Sequence, residues 1–306
     1  MLKKLFKILP SQFKLQDQFI ILLIFSTIIP VSIVGLYGIY SSSSNLSEVA
    51  KEKMEAESTK EANKINAFLN GVSDDVLLLS KTPPIQGIIR AKDNGGVDGQ
   101  LNLSYNAWVG QLQTLFTAMM ERKSQYMQLR YIDEKGREIV RVDSDGSNIK
   151  VISEAELQNK GDRPYFTETM KLASGSMYVS RLDLNQERGQ IERPFKPVIR
   201  YATPIVDSSG QKRGIVIANV FAKKFIDTFK GVNQQEEAEN IYKEQQKFIV
   251  NQNGYYISHP IPEKEWGFEF KKDDKLDKDF SVEISREILS REKGFIDNGE
   301  YLFTFH

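Results

Sequence analysis

The strongest pattern along the chain is a run without charge at positions 19–40, FIILLIFSTIIPVSIVGLYGIY. As a helix it is long enough to cross the ~30 Å apolar core of a bilayer. Beyond it, polar and apolar positions alternate with the periods of ordinary helices and strands. The pattern therefore predicts one membrane anchor followed by a folded body. From 44 to about 80 it predicts a long helix. Ser58, Ala62, Ile65, Leu69, Val72, Val76 and Leu79 recur at alternating steps of four and three, which is a heptad seam. Such a seam packs along the helix's own domain or along a second copy, and the spacing leaves both open. Pro83-Pro84 ends this helix.

Residues 85–122 are again helical in period, broken at Asp93-Asn94-Gly95-Gly96. At 126 the period changes to two. Met127, Leu129 and Tyr131 alternate with polar residues, Asp133 to Gly136 turn the chain, and 139–142 return, so a β-hairpin is expected. A short helix follows at 163–173, with Pro164 in its first turn, then a strand at 177–180. A second hairpin has arms at 197–206 and 213–221 and turns at 207–210. Residues 222–242 are polar and helical in pattern, with a break near Gly231. The β pattern then restarts. A third hairpin, 246–258, turns at Asn253-Gly254, and a fourth, 295–305, turns at Asn298-Gly299. His306 directly follows a strand, which is expected of a truncated chain.

Charge orients the anchor. Lys3, Lys4, Lys7 and Lys14 precede the apolar run and the uncharged Ser41-Ser42-Ser43-Ser44-Asn45 follows it. Positive flanks stay inside, which places the N-terminus in the cytoplasm and the body outside. A cleaved signal peptide would have a shorter apolar region and a small-residue cleavage site. Neither is present here. Over all 306 residues Lys+Arg and Asp+Glu balance at 41 each, so no net field favours nucleic acid. The chain has no cysteine, which excludes disulfides, thiol catalysis and thiolate metal sites.

Catalytic patterns are equally scarce. The two histidines, His259 and His306, lack metal-ligand spacing. There is no nucleophile elbow, P-loop or dinucleotide fingerprint. No catalytic residue, metal site or cofactor is expected, and the segment is not read as an enzyme. The densest polar and aromatic grouping is Asp162-Arg163-Pro164-Tyr165-Phe166, then Tyr178-Val179-Ser180-Arg181, then Lys196 to Tyr201 with Arg200. If the strands pair as predicted, these residues converge on a sheet face under a short helix. Arginine binds carboxylates through two parallel hydrogen bonds, and tyrosine supplies an apolar wall with a polar tip. In the competing arrangement Arg163 and Arg200 pair with structural acids such as Asp183 or Glu168, and the tyrosines fill core.

In order and spacing, DRPYFTETM, GSMYVSRLDLN, KPVIRYATPIVDSSGQKRGIVIANV and FIVNQNGYYISHPIPEKEWGF resemble the double Cache class of bacterial extracytoplasmic sensors, from about residue 40 to the end. The resemblance implies an α+β fold: a transmembrane helix, a long stalk helix and two PAS-like modules with antiparallel sheets, the second incomplete. The implied layout is a cytoplasmic N-terminus (1–18), transmembrane helix (19–40), stalk (41–80), membrane-distal module (81–230), connector (231–242) and membrane-proximal module (243–306). It further implies a receptor in the inner membrane, homodimeric, that binds a small ligand or a periplasmic partner protein and relays the signal to an output. That output is most often a histidine kinase, otherwise a chemoreceptor domain or diguanylate cyclase. A membrane-anchored scaffold without output is the alternative. Amino-acid-binding members carry a characteristic set of positions. Arg163 matches their carboxylate-binding arginine and Tyr178 their later tyrosine. Their tryptophan is Tyr165 here, their first tyrosine is Gln158, and their ammonium-binding acid is Asn219. The implied ligand site is Arg163, Tyr165, Phe166, Tyr178, Arg200, Tyr201 and Asn219. The three departures leave open an amino acid, another small ligand, a partner protein, or no ligand.

Overall fold

The computed structural model describes residues 15–187, 189–223, 225–227 and 246–306. The leading lysines Lys3, Lys4, Lys7 and Lys14, and the helix and connector expected from 228 to 242, lie outside the described residues. Residues 223 and 225–227 are helical. The chain forms two compact units, residues 1–60 with 291–306, and residues 61–290.

Helix α1, Leu15–Ser80, is continuous from the apolar run into the heptad seam. Among the described residues it is the one helix long and apolar enough to cross a membrane. Pro30 has no N–H and leaves the Ser26 carbonyl without its usual donor. The hydroxyls nearby bond one turn earlier: Ser26 Oγ donates to Leu23 O at 2.9 Å, and Thr27 Oγ1 to Leu23 O at 3.0 Å. In the first unit, strands β12 (Gly294–Asp297) and β13 (Leu302–Phe305) form the expected last hairpin. Thr304 Oγ1 reaches Met54 O at 3.4 Å, and Lys51 Nζ lies 4.5 Å from the Phe295 ring centre.

The second unit opens with the end of α1. Val72, Val76 and Leu79 are fully buried in its core, so the upper seam packs within its own chain. Pro83 and Pro84 do end α1, and they also begin α2 (Pro83–Asp93), where a missing N–H costs nothing. Gly95 and Gly96, both at positive φ, separate α2 from α3 (Tyr105–Arg122), whose N-cap Ser104 accepts from Ala107 N. Strands β1 (Tyr126–Ile132), β2 (Glu138–Ser144) and β3 (Ile149–Val151) follow. Helix α4 spans Pro164–Thr169, shorter than the expected 163–173. Next come the short strands β4 (Tyr178–Val179), β5 (Asp183–Leu184), β6 (Gln186–Glu187) and β7 (Gln190–Ile191), and then the long strands β8 (Pro197–Val206) and β9 (Lys212–Phe221). The seven-stranded antiparallel sheet runs β3-β2-β1-β9-β8-β4, with β5 also on β8. The third expected hairpin is β10 (Ile249–Val250) with β11 (Tyr256–Ser258), followed by α5 (Gly267–Phe270), α6 (Leu276–Asp279) and α7 (Val282–Ser290).

The strand pleat gives the sheet two faces. One carries Leu129, Tyr131, Val140, Tyr201, Ala218 and their neighbours into the main core against α1, α2 and α3. The other carries a smaller apolar cluster, Ile132, Ala202, Ile215 and Ile217, covered by Tyr165 and Phe166 of α4. Polar contacts fix the helices to one another and to β1. Lys123 Nζ donates to Asp75 at 2.6 Å and Tyr126 OH donates to the same carboxylate. Arg90 grips Asp98 through two bonds of 2.9 and 2.7 Å and holds that carboxyl down to about 2.

Two glycines of the β8–β9 hairpin, one in its turn and one inside β9, test this packing. Gly214 has φ +116°, and a β-carbon there would lie 2.0 Å from Ile132 O; Gly210 has φ +83° with open space around it. Gly210→Ala is expected to cost ~1–2 kcal/mol, the left-handed penalty alone. Gly214→Ala should cost ~3 kcal/mol or more, because β1 must also move. Denaturation of the full chain in detergent measures both, and equal losses would refute the steric account.

Candidate functional site

The second face of the sheet holds a polar stripe that follows from register. Asp143, Gln128, Asn219 and Arg200 stand opposite one another on β2, β1, β9 and β8. One pleat further lie Arg141, Arg130, Ile217, Ala202 and Tyr178 on β2, β1, β9, β8 and β4. The stripe crosses five strands beside the apolar cluster under α4.

Arg130 is its centre and is 3% exposed. Its Nη2 donates to Asn219 Oδ1 at 2.8 Å. Its Nη1 lies 3.3 Å from Tyr165 OH and 3.4 Å from Glu138 Oε1. The Tyr165 ring covers the guanidinium, 5.3 Å from carbon to ring centre. Arg130 Nε is buried and has no hydrogen-bond partner among the described residues. Asn219 is oriented from both ends, since its Nδ2 donates to Gln128 Oε1 at 3.1 Å. Glu138 Oε2 accepts from Gln158 N at 3.0 Å, which ties the segment before α4 to β2. Arg141 holds Asp143 through Nε and Nη2, at 2.8 and 2.6 Å.

At the β8 end, Arg200 Nη1 donates to both oxygens of Asp183, at 2.7 and 3.0 Å. Burial pushes the Asp183 carboxyl above its usual range, against the pull of Arg200 and Arg163. Burial also raises the Tyr178 phenol and the Glu269 carboxyl, the latter with help from the Asp183 charge. Glu269 Oε1 of α5 accepts from Leu184 N at 3.2 Å, one residue from Asp183. Arg163, at the N-cap of α4, is half-buried. Its charge reaches Asp183, yet no hydrogen bond or ion pair of its side chain is found among the described residues. Glu168, its other expected partner, pairs with Lys171 instead.

The sheet face and α4 thus bring together Arg163, Tyr165, Phe166, Tyr178, Arg200 and Asn219. Tyr201 is a correction. It neighbours Arg200 in sequence, so the pleat sends it to the opposite face, where it is core and burial raises its phenol to about 12. Of the two arrangements left open above, Arg200 adopts the structural pair with Asp183, whereas Arg163 does not. The residues missed by sequence reasoning are Arg130, Gln128, Glu138 and Arg141. A signal existed: once Met127, Leu129 and Tyr131 are assigned inward, Gln128 and Arg130 must share the opposite face with Asn219. Chemically, the arrangement can bind an anion through guanidinium groups beside an apolar wall. Among the described residues no group of acids and histidines is placed to hold a metal ion.

The family model described as bacterial histidine kinase, sensor domain, matches residues 106–306. Among curated proteins none matches. In three dimensions the chain is similar to the extracellular domain of the candidate histidine kinase vpHK1S-Z8, with TM-score 0.66, 18% identity and coverage of 85% of this chain and 88% of that one. It is also similar to a domain of a candidate sensory box/GGDEF family protein from Vibrio parahaemolyticus, with TM-score 0.62, 18% identity and coverage of 83% and 90%. A third similar structure is the periplasmic sensory domain of the Campylobacter jejuni chemoreceptor Tlp1, with TM-score 0.53, 12% identity and coverage of 82% and 85%. At these identities the likeness is one of fold.

The Asp183–Arg200 pair generates a pH-dependent expectation. Arg200→Met leaves Asp183 without its main cation and raises its carboxyl further above the unfolded value. A raised carboxyl contributes stability that is present below the unfolded pKa and lost as pH rises through the folded one. The variant's deficit relative to the parent should therefore be ~1–2 kcal/mol at pH 8, modest because the Asp183 side chain remains 35% exposed. It should shrink towards pH 4. A deficit that is flat between pH 4 and 8 in denaturant titrations would show that the pair carries no such linkage.

Proposed function

The chain belongs to the family of bacterial histidine kinase sensor domains, and from that premise we propose that its polar sheet face is the sensory site, taking a small ligand under α4. A sensor domain is the non-catalytic part of such a receptor. Binding acts by preferring one of two arrangements of the domain, and the output responds to the population shift. The observation that carries the proposal is Arg163, half-buried at the N-cap of α4, whose charge reaches Asp183 while its side chain has no ion pair among the described residues. Arg130, Tyr165, Phe166, Tyr178, Arg200 and Asn219 complete the proposed site.

The remaining organisation is proposed with it. Residues 81–230 form the membrane-distal module, 231–242 a connector and 243–306 the proximal module. Residues 19–40 cross the inner membrane with residues 1–18 in the cytoplasm. The assembly is a homodimer, and the output across the membrane is a histidine kinase. The charge-free span and the lysines before it support the orientation. A periplasmic protein in place of a small ligand is the alternative at the site.

Two measurements test these proposals. Thermal unfolding of the full chain in detergent, screened against a panel of small metabolites, should reveal a stabilising compound, and Arg163→Ala should abolish that stabilisation while the ligand-free midpoint stays within a few degrees. Stabilisation that survives Arg163→Ala removes the residue from the site. Labelling of intact cells with a membrane-impermeant reagent should reach a cysteine introduced at Ser44 and spare one introduced at Lys7; the reverse pattern refutes the orientation.

A further inference from the structure

We propose that the polar face selects a small organic carboxylate that carries no ammonium group, with Arg130, Arg163 and Asn219 setting the preference. The inference rests on the reading of this face as the ligand site and adds the chemical class that the site takes.

The argument is a balance of donors and acceptors. On the stripe itself four guanidiniums, Arg130, Arg141, Arg163 and Arg200, stand against three carboxylates, Glu138, Asp143 and Asp183, with Glu269 of α5 at its edge, held by the Leu184 backbone. Each carboxylate is already engaged. Asp143 accepts from Arg141, Asp183 from Arg200, and Glu138 from Arg130 and from the Gln158 backbone. The neutral acceptors are engaged as well: Asn219 Oδ1 and Tyr165 OH both face Arg130. A ligand ammonium would bring three donors and one more positive charge to a face whose three carboxylates each already accept from an arginine. Burying donors without partners is costly. A carboxylate brings the missing half. It offers two acceptor oxygens to a face where Arg130 Nε is buried without a partner and Arg163 has none.

Tyr165 marks where that group would sit. Its hydroxyl is the weak, neutral acceptor now facing Arg130 Nη1, and a carboxylate oxygen replaces it with a charged one. The polar rows also adjoin Ile217, Ala202, Ile132 and Phe166. An organic acid can lay a hydrocarbon tail on that wall, whereas inorganic phosphate would leave it without contact.

The test is thermal unfolding of the full chain in detergent with matched probes. These are acetate, propionate and succinate against glycine, alanine and aspartate, with inorganic phosphate alongside. At least one amine-free acid should raise Tm by a few degrees, and its amino counterpart should need about tenfold more for the same shift. Asn219→Asp places a carboxylate on Arg130 and should cut the response to the amine-free acid. Arg163→Gln, on a half-buried side chain outside the core, should erase it. An amino acid or phosphate that stabilises as well as the amine-free acids overturns the proposal, as does a series in which no acid shifts Tm. The two levels separate cleanly. An amino-acid shift lost in Arg163→Gln keeps the site and overturns the class, whereas an acid shift that survives Arg163→Gln overturns the site.

Discussion

The two-residue period of a β-strand constrains everything else in residues 61–290. In β1, β8 and β9 alternate side chains must serve opposite masters. Leu129, Tyr131, Tyr201 and Ala218 close the main core, and the register that seats them places Gln128, Arg130, Arg200 and Asn219 in one row system on the far side. A slip by one residue would bury the arginines in the core and expose the tyrosines, so the energy of core burial also fixes the geometry of the polar face. Gly214 contributes at the β9 entrance, where the backbone approaches Ile132 too closely for any β-carbon.

Polar residues buried at this density are stable only as a network. Arg130 is almost fully enclosed, and its desolvation is offset by Asn219, Glu138, and the ring and hydroxyl of Tyr165. Asn219 is in turn held by Gln128, and Glu138 by the Gln158 backbone. Each partner is fixed from a second side, so the face is preorganised rather than a loose set of charges. Among the described residues one position in the network is left open, at Arg130 Nε, and Arg163 at the N-cap of α4 has no ion pair.

Much of this was legible in the sequence. The uncharged run, the Pro83-Pro84 break, the Asn-Gly turns, the four-residue turns at 133–136 and 207–210 and the alternating arms placed α1 to α4 and all four hairpins close to where they stand, because period and turn chemistry are local properties, whereas the short helices α5, α6 and α7 were not anticipated. Arg163 and Asn219 were reachable through motif order, and Arg200 through its neighbours. What failed was a matter of faces and pairing. Tyr201 was grouped with Arg200 because they are adjacent, although adjacency in a strand means opposite sides. Arg130 was passed over because it sits inside a strand whose apolar alternation drew attention to the other face. Its importance depends on β9 and α4 arriving from ~35 to 90 residues away, a relationship set by tertiary register rather than by any local pattern. The heptad seam is equally instructive: the same spacing serves a second copy or the chain's own core, and only the packing of Val72, Val76 and Leu79 decides for that stretch.

The site is also tied to the part of the domain that follows it. Asp183 and Leu184 are consecutive on β5, a strand of two residues. The first binds Arg200 on the polar face, and the backbone N–H of the second is held by Glu269 of α5. Phe270, next along α5, packs on Phe195, with ring centres 5.3 Å apart. Trp266, immediately before α5, sits at φ +63°, a conformation that a bulky side chain holds only where its surroundings impose it. A strand this short has few other hydrogen bonds to absorb a displacement. Any rearrangement of Arg200 against Asp183 therefore reaches the Glu269 carboxylate through one peptide unit, and α5 is anchored on its other side by a strained residue with little freedom to yield. The path from the polar face to α5 is thus one hydrogen bond, one peptide unit and one carboxylate long.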